Sequence, residues 1–250
     1  MTTIPLATLL ALGAAVLATS LLAGIFGVAG GMILMGVLLV YMPVPQAMIL
    51  HGVAQLASNL WRAVIWRRYI DALIVLRYLL GLLVALTVFA SVAFVPDRAT
   101  VLIVLGLVPM LAMVVPDRWA PKVTGRFGAE FAGFSSAGIQ LLSGVSGPLL
   151  DLFFARTLLD RRCVVATKAA CQTFTHLAKL VYFGGLAGLS SVEIDTGLIA
   201  MAIVLAVLGT SLGRFVLERL SDVQFRRYTR LLIFAVGVAC LSQGINMAIA

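Results

Sequence analysis

Two sets of polar residues recur at helical spacing in otherwise apolar sequence: His51, Gln55, Asn59 and Arg62, and then Lys168, Gln172, His176 and Lys179. Steps of four, four and three put each set on one helix face. Imidazole, amide, ammonium and guanidinium groups donate hydrogen bonds, which is the chemistry an oxyanion needs. Two glycine-rich phrases precede them, GVAGG at 27–31 and GVSGP at 144–148. Gly27, Gly30, Gly31, Gly144 and Gly147 would let backbone approach a ligand closely, with Ser146 adding a hydroxyl. Each phrase is followed by a helix start, whose free N–H groups and positive dipole end favour an anion. Pro148 suits a first helical turn, where its missing N–H costs nothing.

A shift of 117 residues lays Gly27, Val28 and Gly30 on Gly144, Val145 and Gly147, and carries Gln55 onto Gln172, Asn59 onto His176 and Arg62 onto Lys179. Apolar sequence matches itself by chance, so the polar coincidences carry the weight. They predict an internal repeat over 1–116 and 126–250, with Gln55 and Gln172 nearest the centre of a shared anion site.

The elements that must position these residues lie in a membrane. Hydrophobic residues make up 62% of 250 positions and charged residues 11%, which excludes an ordinary soluble domain. Apolar runs fall at about 4–25, 31–42, 46–66, 72–95 and 99–115, then at about 127–143, 148–158, 163–185, 195–217 and 229–249. The second run of each set reaches only about 18 Å as a helix, too short for a hydrocarbon core of about 30 Å. Each short segment therefore crosses with help or forms a re-entrant hairpin with its neighbour. Alternating sides through ten segments gathers Arg67, Arg68, Arg118, Lys122, Arg126, Arg156, Arg161, Arg162, Arg219, Arg226 and Arg227 on one face, leaving only Arg98 opposite. Basic loops mark the cytoplasm, so both termini are expected outside. Five segments per half invert the second half, the plan of many secondary transporters. The fold expected is an all-α polytopic membrane protein of about ten membrane segments in two inverted-topology repeats. It forms a single transmembrane transporter domain over 1–250.

The formal net charge of +8 fits cytoplasmic loops better than a nucleic-acid partner. Cys163, Cys171 and Cys240 sit in apolar runs without metal-ligand spacing and read as small hydrophobes, so no metal or other cofactor is expected. The first apolar run lacks a basic leader and flows into the glycine phrase, so it reads as mature structure, not a signal peptide.

Other readings stand beside these. The glycines also suit close helix packing. His51 and His176 could be bonded within the bundle, and Arg62 and Lys179 could snorkel towards the interface or, like Asp151, serve in coupling or an ion pair. Asp151 is a functional or coupling candidate, or an ion-pair partner for Lys168, as is Asp160. Glu130 suits a helix dipole, and Trp61, Trp66, Trp119 and Tyr69 suit interfacial anchoring. Ser146 with His176 imitates the nucleophile and base of an intramembrane serine protease, although their repeat partners are Ala29 and Asn59. An anion channel would share the site without coupled alternation.

The chain resembles the TauE/SafE family, the sulfite exporter or toluene sulfonate uptake permease group. The likeness runs over nearly the whole chain and rests on GIFGVAGGMIL with HGVAQLASNLWRAVIWRRYID, and on LLSGVSGPLLD with VVATKAACQTFTHLAKLVYFGGL. Ile70 and Asp71, and Ile194 and Asp195, fill the turns where the family places ID or VDW. Ala29 and Ser146 stand where a further glycine is common, and His51 where Thr is usual. The resemblance implies a non-enzymatic carrier in a bacterial inner membrane. It would move small anions such as sulfite, sulfonates, sulfoacetate or carboxylates by alternating access. A proton or a sodium ion is the candidate for coupling.

Overall fold

A computed structural model describes all residues except 1–4, 27, 117–118, 156, 188–193, 218–221 and 250. Among the described residues the chain forms ten α-helices and no strand. They are α1 (Leu6–Phe26), α2 (Val28–Tyr41), α3 (Val44–Ile65), α4 (Ala72–Val92) and α5 (Arg98–Val114), then α6 (Gly128–Ser143), α7 (Gly147–Phe154), α8 (Arg161–Val181), α9 (Thr196–Leu217) and α10 (Asp222–Ile249). The lengths follow the expected rhythm, with α2 at 14 residues and α7 at 8. At about 1.5 Å per residue neither spans a bilayer.

Stretches within α1, α4, α9 and α10 are long and apolar enough to cross a membrane, and apolar side chains such as Leu73, Leu80, Val204 and Leu212 point outward from α4 and α9. The chain is a multi-pass membrane protein. Helices α3 and α8 carry the polar stripes and are packed inside, against each other. The short helices are wrapped by the rest. Leu34, Met35 and Leu38 of α2 and Leu150 and Phe153 of α7 are buried in two separate apolar clusters.

Several acidic residues are used as helix caps. The carboxylates of Asp71, Asp97, Asp160 and Asp195 accept from the backbone N–H of Ile74, Thr100, Arg162 and Leu198, starting α4, α5, α8 and α9. The two ID turns are therefore N-cap signals. Glu130 does more than face the dipole of α6: Arg77 of α4 donates to it at 2.7 and 2.8 Å, and to the carbonyl of Gly125.

Glycines set the closest helix crossings. A Cβ on Gly81 of α4 would lie 1.8 Å from the carbonyl of Glu130, and one on Gly133 of α6 would lie 1.9 Å from that of Tyr78. Gly24 of α1 meets Gly213 of α9, and Gly106 of α5 meets Gly237 of α10, in the same manner. Helices in lipid gain little from apolar burial and associate by close backbone packing, which only small residues permit.

Candidate functional site

Helices α3 and α8 run antiparallel, so the start of one stripe faces the end of the other. His51 meets His176 and Lys179, while Arg62 shares a cavity wall with Lys168. Between the two helices lies a cavity of about 670 Å³. It reaches the surface where α3 ends and α8 begins, between Trp61, Trp66, Arg161 and Arg162. Its inner end is at His51 and His176, whose rings are 5.7 Å apart. Tyr182, three residues after Lys179 and fully buried, donates from its hydroxyl to the carbonyl of Phe94 at 2.7 Å. It starts a π-helical turn, Tyr182–Leu186, that ends the α8 stripe.

The structure brings most of the expected residues together. His51, Gln55, Asn59 and Arg62 line the cavity from α3, and Lys168, Gln172 and His176 line it from α8. Gly31, Ser146, Gly147 and Asp151 complete the wall from the two short helices and the turn before α7. Gly27 lies outside the described residues. Three expected residues stand behind the wall. A Cβ on Gly30 would lie 2.1 Å from the carbonyl of Thr19 and 2.5 Å from the N of Ala23, so Gly30 serves the α1–α2 packing. Gly144 has φ of +79° after the last turn of α6, and its carbonyl accepts from Lys179 Nζ at 3.1 Å. Lys179 is fully buried, its Nζ also donating to His51 Nδ1 at 2.8 Å. A lysine so enclosed does not snorkel, because its amine points inward to these two acceptors.

Hydrogen bonds order the deep end. His51 donates from Nε2 to the carbonyl of Gly31 at 3.0 Å, so Nδ1 is left to accept from Lys179. On the other side a chain runs from Gln172 Nε2 to Ser146 Oγ at 3.3 Å, from Ser146 Oγ to Gln140 Oε1 at 2.8 Å, and from Gln140 Nε2 to His176 Nδ1 at 2.7 Å. Gln140 thus stands between Ser146 and His176, and the serine hydroxyl gives its proton to an amide, not to an imidazole. That arrangement is not an activated nucleophile.

Nearer the mouth, Lys168 and Asp151 form an ion pair, which selects Asp151 over Asp160 as the lysine's partner. Arg62 donates to the carbonyl of Ala23 at 3.1 Å and is in no carboxylate pair among the described residues. Gln55 is buried, yet its Nε2 has no hydrogen-bond partner, and it lies beside Gly31, where a Cβ would come within 3.5 Å of the amide. A buried donor without an acceptor costs about 1–3 kcal/mol unless something supplies one.

Several site residues had no place in the polar stripes. Gln140 is a lone amide in the apolar run of α6, and its type was the available signal. Thr210 and Ser211 of α9 line the cavity and bond Ser58 at 2.7 Å and Trp61 at 3.0 Å. Trp61 and Trp66, expected only as interfacial anchors, also form the cavity mouth.

No curated protein and no solved structure shows a significant match to the chain. The sequence model of one family, described as Sulfite exporter TauE/SafE, matches residues 11–240, nearly the full length. Its members are membrane transporters of the anion-exporter type. A helical membrane bundle with a donor-lined internal cavity agrees with that match over 11–240, and the chain belongs to the TauE/SafE family.

Proposed function

We propose that this protein is a secondary carrier for small sulfur-containing or carboxylate anions, with the α3–α8 cavity as its central site and alternating access as its mechanism. The observation that carries the reading is the unpartnered Gln55 amide, buried in a wall that also holds Arg62, Gln172 and His176. An oxyanion would accept from these donors and bring a negative charge close to Arg62.

An inverted duplication supports alternation. Exchanging α1–α5 for α6–α10 turns the α1–α9 pair into the α6–α4 pair and maps the α3–α8 and α5–α10 pairs onto themselves; all four are extensive contacts. In this reading the cavity is open on the basic face, the cytoplasmic one by the charge of its loops, and ends at the histidines. A single cysteine placed at Arg68, in a chain lacking Cys163, Cys171 and Cys240, should be shielded from an impermeant thiol reagent in intact cells, and one at Asp97 should react. Equal labelling at both would overturn the orientation.

Transport is tested by counterflow in proteoliposomes with labelled sulfite, sulfoacetate and acetate. Gln55→Ala and Gln172→Ala should each fold and each weaken half-saturation about tenfold or more, since a hydrogen bond to a charged ligand is worth about 1.5–3 kcal/mol. Counterflow unchanged in both variants would move the site elsewhere.

A further inference from the structure

Lys179 is the residue that neither anion binding nor packing explains. It is 0% exposed, at the centre of a membrane protein, and no carboxylate pairs with it among the described residues. Its two partners are both acceptors, His51 Nδ1 and the Gly144 carbonyl. Uncharged packing would be met by Leu or Met at this position, and a structural cation would be expected to have an anion beside it.

The groups around it are few. Helix α3 presents His51 and α8 presents His176; the α6–α7 turn presents the carbonyl of Gly144 to the lysine, and α2 presents the carbonyl of Gly31 to His51. Tyr78 of α4 is bonded to Thr175, and Tyr182 to Phe94. The charged groups of the same cavity, Arg62, the Asp151–Lys168 pair, Arg161 and Arg162, lie towards its mouth. With His51 Nδ1 and the Gly144 carbonyl each taking one N–H, the lysine nitrogen has one further position, which is either a third N–H or a lone pair. The pair therefore gains or loses one proton while both hydrogen bonds stay in place. His51, which lines the cavity, is the link between that nitrogen and the solvent side.

A proton on this pair puts a positive charge in the protein interior with no countercharge of its own. An anion in the cavity supplies one, a few side-chain lengths away, and the proton in turn offsets the anion's charge. Each makes the other less costly to hold, which is a coupling free energy between two sites and is reciprocal. We propose that the His51–Lys179 pair carries the coupling proton, so that one proton and one anion cross together. This rests on the transport reading above and names its driving ion.

The test uses the purified full-length protein in proteoliposomes, with labelled sulfoacetate as probe, because its two acidic groups stay ionised from about pH 6 to 8. The membrane potential is clamped at zero. One proton per anion predicts about tenfold accumulation for each pH unit, acid outside, and none without the gradient. Lys179→Met and His51→Gln should each lose the response to the gradient. Lys168→Met should weaken affinity yet keep one proton per anion, because its charge is already paired. If wild-type counterflow is present but a pH gradient drives no accumulation, the proton assignment is overturned and the carrier stands. Accumulation by Lys179→Met equal to wild type would overturn the residue assignment. Absence of counterflow for sulfoacetate and sulfite alike in the wild-type protein would defeat the transport reading and this inference with it.

Discussion

Gly30→Ala and Gly31→Ala, one residue apart, are expected to fail in different ways. At Gly30 the new methyl would sit 2.1 Å from the Thr19 carbonyl oxygen and 2.5 Å from the Ala23 nitrogen. Both are backbone atoms of α1, so neither can rotate away, and the two helices must separate. Overpacking of a well-filled interior costs about 1–3 kcal/mol and occasionally more. Here two main chains collide, so the upper end applies, and little monodisperse protein should be recovered. At Gly31 the nearest atoms to the methyl are those of the Gln55 amide, at 3.5 Å, an ordinary contact. That protein should melt near the wild-type temperature and lose about tenfold or more in anion affinity, because the methyl lies beside the unpartnered Gln55 donor. Melting temperature and ligand affinity measured on one sample decide it. Gly30→Ala that melts as wild type, or Gly31→Ala that melts early and binds normally, would reverse the assignment of the two glycines.

That difference shows where sequence pattern stops. The repeat shift aligns Gly30 with Gly147, yet it is Gly31 and Gly147 that line the cavity, while Gly30 is spent on α1. Periodicity reports which face of a helix a residue occupies, and a helix such as α2, buried along most of its length, has two faces that both want glycine. The polar stripes were legible for the opposite reason. Within a bilayer a histidine or glutamine is costly on any outward face, so residue type alone places it inside. The same logic located seven of the eight stripe residues on the cavity wall. It did not reach Lys179, whose position behind His51 depends on the antiparallel crossing of α3 and α8 and on the left-handed turn at Gly144 that brings a carbonyl to its amine. Gln140 was hidden similarly. It belongs to no stripe, and its role as the bridge between Ser146 and His176 exists only once α6, α7 and α8 are brought together.

Charge bookkeeping inside the cavity gives the other large effect. Among the lining residues, Asp151 pairs with Lys168 and also acts on Arg62, so two inner cations face one carboxylate and one positive charge is left for a ligand. At an effective dielectric of about 20 and a separation of about 8 Å, one unit charge acting on another is worth about 2 kcal/mol. Arg62→Gln should therefore weaken anion binding about thirtyfold, more than Gln55→Ala, and should do so for sulfite, sulfonate and carboxylate alike, because charge does not read the shape of the anion. Asp151→Asn works in the other sense. It leaves Lys168 in place with its charge uncompensated, raises the cavity by one positive unit, and should tighten anion binding by about tenfold while slowing release. The double variant Arg62→Gln/Asp151→Asn should return near wild-type affinity, since one positive charge is lost and one regained. Binding measured by calorimetry at fixed ionic strength checks all three. Asp151→Asn that binds more weakly than wild type would mean that Asp151 holds Lys168 in position instead of neutralising it. Failure of the double variant to recover would show that Arg62 contacts the anion in a geometry that a distant charge cannot replace.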